Sequence, residues 1–330
     1  MLKRMGSARR VLTLLALLAV LAGCRTGATG ASWQSSVNRE HRLAGGIWDV
    51  AEGRFVDEAT VAARLAEARY VLLGEKHDNP DHHVLQARML RALMAAGRRP
   101  AVAFEMFTPS QAGALARHLA ARPRDAAGIA EAMNWKASGW PAWSMYEPIA
   151  QAALDAGLQI VVANLDTERV RAVSRQGVVA LDAALVQRHG LDQPLPDDVR
   201  AALAEEIRES HCGHAPENMV SAMIVVQRAR DAQMAEALLS APGGDGAVLI
   251  AGSGHARNDR GVPAYLRRIV PDVRTVSVAF LEVDPKRPNV EGYAERFEQR
   301  LPFDYVWFTP AVDDEEPCQK FRKSLERLRR

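Results

Sequence analysis

Four acidic or imidazole side chains follow apolar runs of strand length in this sequence: Glu75, His77, Glu105 and His255. Carboxylates and imidazoles that meet in one place can bind a divalent metal ion or act as an acid–base pair. His77 and His255 each come three residues after a glycine, which would allow a sharp turn and let the histidine point into a crevice. A purely structural role, capping helices and satisfying loop amides, would bury the same groups. Burial alone therefore does not separate the two interpretations.

Short apolar runs alternate with helical stretches, which is the pattern of an α/β fold with a mostly parallel sheet flanked by helices. A helix is predicted after the first run, with Asn79 as its N-cap, Pro80 in its first turn and Gly97 past its end. In such sheets ligands bind outside the carboxyl ends of the strands. We therefore expect the four side chains to share one edge. Strands are predicted at residues 70–74, 101–104, 159–163, 247–251, 276–281 and 305–308.

Two helical segments carry further expectations. Residues 181–240 contain no run typical of a strand and predict a smaller helical subdomain inserted into the sheet domain. His82 and His83 fall on the helix after Pro80. Because adjacent helical residues face different directions, at least one of these histidines is expected to be exposed to solvent.

Aromatic residues concentrate between residues 135 and 146, in a stretch whose Gly, Pro and Ser content argues against a regular helix. Such a cluster could form the floor of a site for a flat apolar ligand, while a phenol supplies an oxygen ligand to iron. It could equally be a loop that fills the core. The residues are Trp135, Trp140, Trp143 and Tyr146.

The composition excludes several classes of protein. Of 330 residues, 48% are hydrophobic and 25% charged, as in a globular protein rather than a collagenous, disordered or polytopic membrane protein. Leaving out the four basic residues among the first ten takes the basic count from 42 to 38, against 40 acidic residues, so nothing points to nucleic acid. Besides Cys24 there are Cys212 and Cys318, and whether they form a disulfide is open at this stage.

The first residues have the order of a signal peptide: a basic stretch, the apolar run Val11–Leu21, then small residues before Cys24. The tetrad Leu-Ala-Gly-Cys ending at Cys24 looks like the lipobox of bacterial lipoproteins, which predicts a lipid anchor on that cysteine. Arg25 in the next position favours the outer membrane, with the protein facing the periplasm or the cell surface. The expected organisation is a signal peptide at 1–23, a flexible tether at 24–40, an α/β domain at 41–312 and a charged tail at 313–330.

Several motifs in the same order make the chain resemble the ChaN-like haem-binding lipoproteins of the haem-binding uptake/Tiki superfamily. The resemblance runs from about Ile47 to Pro310. The motifs are LGEKHDNPDHH (73–83), FEMF (104–107), SGWPAW (138–143), HCGH (211–214), RDAQMA (230–235), GHAR (254–257), RGVP (260–263) and FDYVWFTP (303–310).

The resemblance implies a lipid-anchored protein that binds haem and takes part in iron acquisition, with an outer-membrane haem receptor and a second copy of the chain as possible partners. It implies a tyrosine as the ligand of haem iron. Tyr146 is the first candidate and Tyr265 the second. His77 is a further candidate contact to haem, and Arg257 and Arg260 could hold the propionates.

The wider superfamily includes proteins similar to metal-dependent proteases and to erythromycin esterases. Glu75, His77, Glu105 and His255 match the hydrolytic site of those relatives by residue type and position. A metal-dependent hydrolase with a divalent ion is therefore the alternative, although haem binding without catalysis is the main expectation. A hydrolase would need a base within reach of a water molecule on an open metal position.

Overall fold

An eight-stranded sheet lies at the centre of the computed structural model, which describes residues 32–297, 299–316, 318–320 and 322. The strands are β1 Ile47–Asp49, β2 Arg54–Val56, β3 Tyr70–Glu75, β4 Ala101–Phe104, β5 Ile160–Val162, β6 Ala247–Gly252, β7 Thr275–Glu282 and β8 Tyr305–Thr309. Their order is β2-β1-β8-β7-β3-β6-β4-β5. Strands β3 to β8 pair in parallel, whereas β1 is antiparallel to β2 and to β8. The predicted fold class is confirmed.

Helices cover the sheet, and the local sequence explains where α2 begins and ends. Asn79 caps α2 by accepting a hydrogen bond from the backbone N–H of Asp81, and Gly97 past its end has φ +84°, as the sequence predicted. The helices are α1 Glu58–Glu67, α2 Pro80–Ala95, α3 Ala112–Ala121, α4 Ile129–Ala132, α5 Trp143–Asp155, α6 Thr167–Gln176, α7 Ala183–His189, α8 Asp197–Ser210, α9 Glu217–Leu239, α10 Val262–Ile269 and α11 Glu291–Ala294.

The two faces of the sheet carry separate apolar cores because side chains alternate along each strand. On β3, Val71 and Leu73 pack into a core shared with α1, α2 and α5. Tyr70 and Leu72 point to the opposite face, into a core shared with α9, α10 and α11. The sheet is therefore the middle of three layers. Both of its faces are covered, so polar side chains can reach solvent at the ends of the strands.

Residues 181–240 are helical, as predicted, and comprise α7, α8 and α9. Leu203 of α8 packs with Val220 and Ile224 of α9 in a small core of their own. The other end of α9 joins the core on the sheet through Leu238. Helix α9 thus packs against α8 near its start and against the sheet near its end.

The domain begins earlier than the expected boundary at residue 41. Asp81 of α2 accepts hydrogen bonds from the backbone of Gln34 and Ser35, and Val37 pairs with Ala311. These contacts hold part of the expected tether against the domain. The described residues from Trp33 onward form one compact unit. Cys24 and the expected signal peptide lie outside the described residues, among which no helix is long and apolar enough to cross a membrane.

The C-terminal segment is also attached to the domain. Cys318 forms a disulfide with Cys212, which lies in the turn between α8 and α9; their Cα atoms are 5.5 Å apart and 106 positions separate them in sequence. The pairing that the sequence left open is thus present. The same bond removes Cys212 from any role as a thiolate metal ligand.

Candidate functional site

The carboxyl ends of β3, β4 and β6 bring the predicted polar residues together. Strand β6 lies between β3 and β4, with Gly252 opposite Glu75 and Ile250 opposite Phe104. Residues that follow these strands therefore meet at one edge. Among the four predicted residues, His77 lies 3.0 Å from Glu75 and 3.9 Å from Glu105, and His255 lies 3.3 Å from Glu105.

Glu105 and His255 form the buried half of this cluster. Glu105 accepts hydrogen bonds from Arg230 at 2.8 Å and from the backbone N–H of Gly252 at 2.7 Å. His255 donates from Nδ1 to Asp231 at 2.6 Å, while its Nε2 faces Glu105. Both nitrogens of His255 thus face carboxylates, and both oxygens of Glu105 have donors.

Burial and neighbouring charges act against each other on these pKa values. Burial lowers the pKa of His255, but the carboxylates of Glu105 and Asp231 outweigh it and raise the pKa to about 9. Burial would raise the pKa of Glu105, yet His255, His77 and Arg230 hold it well below its usual range. The upward shift favours the imidazolium form of His255, which has no free electron pair with which to accept a proton from a water molecule.

Glu75 organises the other half of the cluster. Its Oε1 accepts from His77 Nδ1 at 3.0 Å and from the Tyr146 hydroxyl at 3.3 Å. Its Oε2 lies 2.8 Å from His83 Nε2, whose hydrogen bond is made to the carbonyl of His77. Burial followed by the Glu75 charge raises the pKa of Tyr146. Burial lowers the pKa of His77, but Glu75 and Glu105 outweigh it, and the net shift is upward.

The expectation that His82 or His83 would be exposed is wrong, because both side chains are buried. The two rings do face different directions, but each direction is covered by protein. His82 bonds to Thr309 at the end of β8, and His83 lies against Glu75 and Tyr146. The two histidines thus attach α2 to the end of β8 on one side and to Glu75 and Tyr146 on the other.

The glycines before the two histidines are needed for space rather than for a left-handed turn, which corrects the expected reason. Neither Gly74 nor Gly252 is among the glycines with positive φ. A Cβ at Gly74 would lie 2.8 Å from the Cβ of Ala256, and one at Gly252 would lie 3.0 Å from His77 Nε2. The absence of a side chain at Gly74 lets the two strand ends approach each other, and its absence at Gly252 lets His77 lie close to β6.

A cleft of about 360 Å³ opens beside the cluster, between the strand ends and the helices α8 and α9. His77, His255 and Gly252 line one side of it. The other walls carry an apolar group (Leu195, Leu203, Ile207, Met223, Val226) and four arginines (Arg228, Arg230, Arg257, Arg260).

The two arginines predicted to hold propionates are in this cleft. Arg257 and Arg260 both bind the carboxylate of Glu206 on α8, and Arg257 also binds Asp259. Glu206 is about half exposed, whereas the side chains of Arg257 and Arg260 are nearly buried. The geometry shows that this arginine pair can hold a carboxylate at the wall of the cleft.

The aromatic stretch is mostly core, and part of it is helical. Trp143 and Tyr146 lie in the first turns of α5, where no regular helix was expected, and they pack with Trp135 and Phe107. The exception is Trp140, which is partly exposed and packs edge-on against His77 with ring centroids 4.8 Å apart. Trp135, Trp143 and Tyr146 thus belong to the apolar core next to the site. Trp140 is the member of the stretch whose ring contacts His77.

Both candidate tyrosines are buried. Tyr146 is 0% exposed and Tyr265 8% exposed. Burial and the nearby Asp231 carboxylate raise the pKa of Tyr265 to about 12. The remaining tyrosines, Tyr70, Tyr293 and Tyr305, are buried as well, so all five in the sequence are.

Within the described part of the chain, no group of three or more His, Cys, Asp or Glu side chains has the arrangement of a metal site. The physical reason is visible at Glu105. Its oxygens are occupied by Arg230 and by the Gly252 amide, and a cation would have to displace them.

Sequence reasoning missed three members of the cluster: Arg230, Asp231 and His83. Arg230 and Asp231 lie in the middle of α9 with Ala229 and Ala232 on either side, and both alanines are buried. A charged pair between buried small residues in a long helix is the signal that could have found them. His83 carried no comparable signal, since its partners are determined by the packing of α2.

Comparison with known proteins places the chain in a family. Residues 61–266 match the family described as "Haem-binding uptake, Tiki superfamily, ChaN", which is more than half of the chain. The protein belongs to this family. No curated protein matches the sequence significantly.

Solved structures agree with that family at the level of the fold. ChaN of Campylobacter jejuni, described with cofacial haem binding, has a TM-score of 0.61 and 20% identity, over 79% of this chain and 95% of that one. Weaker similarities are to the type III effector HopBA1 (TM-score 0.42, 13% identity, 76% and 92% covered) and to an erythromycin esterase mutant in its open conformation (0.39, 14%, 81% and 82%). The first similarity shows a shared ChaN-like fold.

Proposed function

We propose that this protein binds haem in the cleft beside the strand ends, and that it does so as an exported, lipid-anchored protein that serves iron acquisition. The observation that carries the proposal is the composition of the cleft, in a chain of a family described as haem-binding. Haem presents a flat apolar face, two carboxylates and an iron atom. A site for it needs an apolar wall, cations and a ligand atom.

The cleft offers each of these. Leu203, Ile207 and Met223 supply the apolar wall. Arg257 and Arg260, which already share the carboxylate of Glu206, would bind the propionates. Bound haem would supply an iron centre that could accept a ligand atom from the protein. All five tyrosines, the candidates Tyr146 and Tyr265 among them, are buried, whereas the imidazole of His77 lines the cleft.

Export is supported by the disulfide between Cys212 and Cys318, because such bonds persist in oxidising compartments and are rare in the cytosol. The lipobox at Cys24 would then place the domain on a membrane surface without a spanning helix. Such an anchor would keep a haem carrier near the membrane from which haem arrives.

Haemin titration tests the binding proposal. The chain without residues 1–24 retains the compact unit that begins at Trp33, and we expect it to shift the Soret band at a stoichiometric ratio. Met223→Asp places a charge on the apolar wall and is expected to weaken binding about tenfold or more. The matched control is Val179→Asp, at a strongly exposed valine that does not line the cleft. A wild-type protein that leaves the haemin spectrum unchanged would contradict the proposal.

Metabolic labelling tests the anchor. In a bacterial host, radiolabelled palmitate should be incorporated into the full chain, which should sediment with membranes. Cys24→Ser should remove the label and release the protein from that fraction. If the serine variant is labelled as strongly as wild type, the lipid anchor at Cys24 is wrong.

A further inference from the structure

We propose that the edge of the sheet formed by the carboxyl ends of the strands, beside which the cleft opens, is the face that this protein turns towards an anionic phospholipid surface. The proposal rests on the lipid anchor proposed at Cys24 and adds to it an orientation of the domain. Three features support it: where the N-terminal and C-terminal segments are attached, the length of the tether and the distribution of charge.

The N-terminal segment is attached at the edge where the parallel strands end. Asp81, a buried residue in the first turn of α2, accepts the backbone N–H of Gln34 at 2.8 Å and that of Ser35 at 2.9 Å. Val37 then pairs with Ala311, which follows β8. Because α2 starts after β3, and β3 and β8 run in the same direction, these contacts lie at the carboxyl ends of the strands. The tether therefore leaves the domain at this edge.

The tether is short compared with the domain. Ten residues lead from Cys24 to Gln34, and an extended chain of that length spans at most about 36 Å. A flexible chain of the same length has a typical end-to-end distance of about 16–19 Å. Helix α9 alone, with 23 residues, is about 34 Å long. The edge from which the tether leaves is thus held near the lipid, whereas the opposite edge could reach it only if the tether ran along the side of the domain.

The C-terminal segment is attached to the same edge, on the side of the cleft. Val312 donates its backbone N–H to Glu282 at the end of β7, at 3.0 Å. The disulfide joins Cys318 to Cys212 in the turn between α8 and α9, and the neighbouring His211 lines the cleft. The residues that follow the disulfide therefore start from the edge that the tether holds near the lipid.

The charge of these following residues suits an anionic surface. The acidic run 313–316 is partly neutralised within the domain, because Asp313 pairs with Lys320 at 2.7 Å and Glu316 pairs with Lys286 at 2.7 Å. Beyond Lys320 the sequence has five basic residues and one acidic residue. The basic residues are Arg322, Lys323, Arg327, Arg329 and Arg330. A basic side chain close to an anionic lipid surface strengthens binding about fivefold, so this segment favours the same orientation as the tether.

The orientation turns the cleft towards the lipid. His77 after β3 and His211 after α8 both line the cleft, and both lie next to the attached segments. A ligand with a large apolar face concentrates at a membrane interface, because water excludes it. The cleft thus faces the phase in which such a ligand accumulates.

Fluorescent labels at the two ends of α9 test the orientation. Asn218→Cys places a label at the start of α9, on the edge of the cleft, and Gly244→Cys places one beyond its end, where a Cβ would meet nothing within 4 Å. The disulfide between Cys212 and Cys318 is left oxidised. The lipidated full chain is inserted into vesicles of phosphatidylethanolamine and phosphatidylglycerol that carry an energy acceptor on a lipid headgroup.

We expect energy transfer from the label at residue 218 to be about threefold or more as efficient as from the label at residue 244, because α9 separates the two positions by about 34 Å. Equal transfer from the two positions, or stronger transfer from residue 244, would overturn the orientation.

A longer tether tests the length argument. About twenty Gly and Ser residues inserted after Gly30 would extend the reach of the chain without changing the domain. The difference between the two labels should become smaller, while the protein still sediments with the vesicles. An undiminished difference would show that the tether does not orient the domain.

Removing basic charge tests the contribution of anionic lipid. Combining Arg327→Gln, Arg329→Gln and Arg330→Gln should reduce the difference between the labels, as should vesicles of uncharged phosphatidylcholine. The matched control is a triple change at exposed arginines near the starts of β3 and β4, and it should leave the difference unchanged. The control changes are Arg64→Gln, Arg91→Gln and Arg99→Gln. If the two triple variants behave alike, the segment does not contact anionic lipid.

The anchor and the orientation fail in different ways. If the full chain takes up no palmitate and does not sediment with membranes, the anchor at Cys24 is wrong and the orientation falls with it. If the chain is labelled with palmitate and sediments, but its two fluorescent labels transfer energy equally, the anchor stands and only the orientation is wrong.

Discussion

His255 shows how strongly single residues depend on their surroundings at this site. It is buried between Glu105 and Asp231, and these two carboxylates raise its pKa to about 9. A general base would have to be neutral near pH 7, so this imidazolium serves instead as a fixed cation that joins β4, β6 and α9. One of the four residues that the hydrolase alternative named therefore has a charge that suits a structural role.

The shifted pKa of His255 predicts a pH dependence of stability. A group whose folded pKa is raised stabilises the fold fully below its unfolded pKa, which is about 6.5 for histidine. This stabilisation is lost as the pH rises through about 9. We expect urea denaturation to show a loss on the order of 2 kcal/mol in wild type between about pH 6 and about pH 10. His255→Gln should be less stable at the lower pH and show a smaller loss; equal losses in the two proteins would contradict the prediction.

Glu206 is expected to compete with haem for Arg257 and Arg260. Glu206→Gln removes the competing charge, so haemin should bind more tightly, by up to about tenfold, in a titration. Glu205→Gln is the matched control, because Glu205 on the same helix pairs with Arg208 instead. Weaker binding by Glu206→Gln would mean that Glu206 assists the site.

At the scale of the elements, the end of β6 packs closely against His77. A Cβ at Gly252 would lie 3.0 Å from His77 Nε2, so the imidazole would have to shift slightly to admit it, whereas a Cβ at Gly254 would meet nothing within 4 Å. Two glycines of the same turn thus have different roles. One allows close approach, and the other is free to change.

Gly252→Ala and Gly254→Ala test this difference. A Cβ at residue 252 would push His77 away, which should weaken haemin binding and cost about 1–3 kcal/mol of stability by overpacking. Gly254→Ala should change neither quantity by a comparable amount. The measurements are haemin titration and urea denaturation, and similar results for both variants would show that His77 is not confined by this turn.

For the whole molecule, the disulfide ties the C-terminal segment to the turn between α8 and α9. His211, adjacent to Cys212, lines the cleft, so the bond lies next to one of the cleft walls. It closes a long stretch of chain, which restricts the unfolded state.

Removing this bond should destabilise the protein. We expect reduction by dithiothreitol, or the double change Cys212→Ser and Cys318→Ser, to lower the free energy of unfolding by roughly 2–4 kcal/mol. The double serine variant should no longer respond to dithiothreitol. A wild-type melting curve that is unchanged by the reductant would contradict the pairing.

Local sequence alone was enough to predict where the parallel strands lie and that the residues following them meet at the carboxyl ends of the strands. Strands β3, β4 and β6 lie within one residue of the predicted ranges, because short buried strands are continuous apolar runs. Their trailing residues Glu75 and Glu105 could be placed at one edge by the rule that parallel strands share a direction. The short antiparallel strands β1 and β2 were not predicted, since three residues carry too little pattern.

Only the tertiary structure decided which atoms meet at that edge. Asp231 contacts His255 across 24 positions, and Glu105 contacts Arg230 across 125, so neither pair is visible as a spacing in the sequence. The burial of His82 and His83 and of all five tyrosines likewise depends on what other elements cover them. Local sequence specifies backbone direction and apolar faces through short-range sterics and burial, whereas hydrogen-bond partners depend on packing between segments that are distant in the chain.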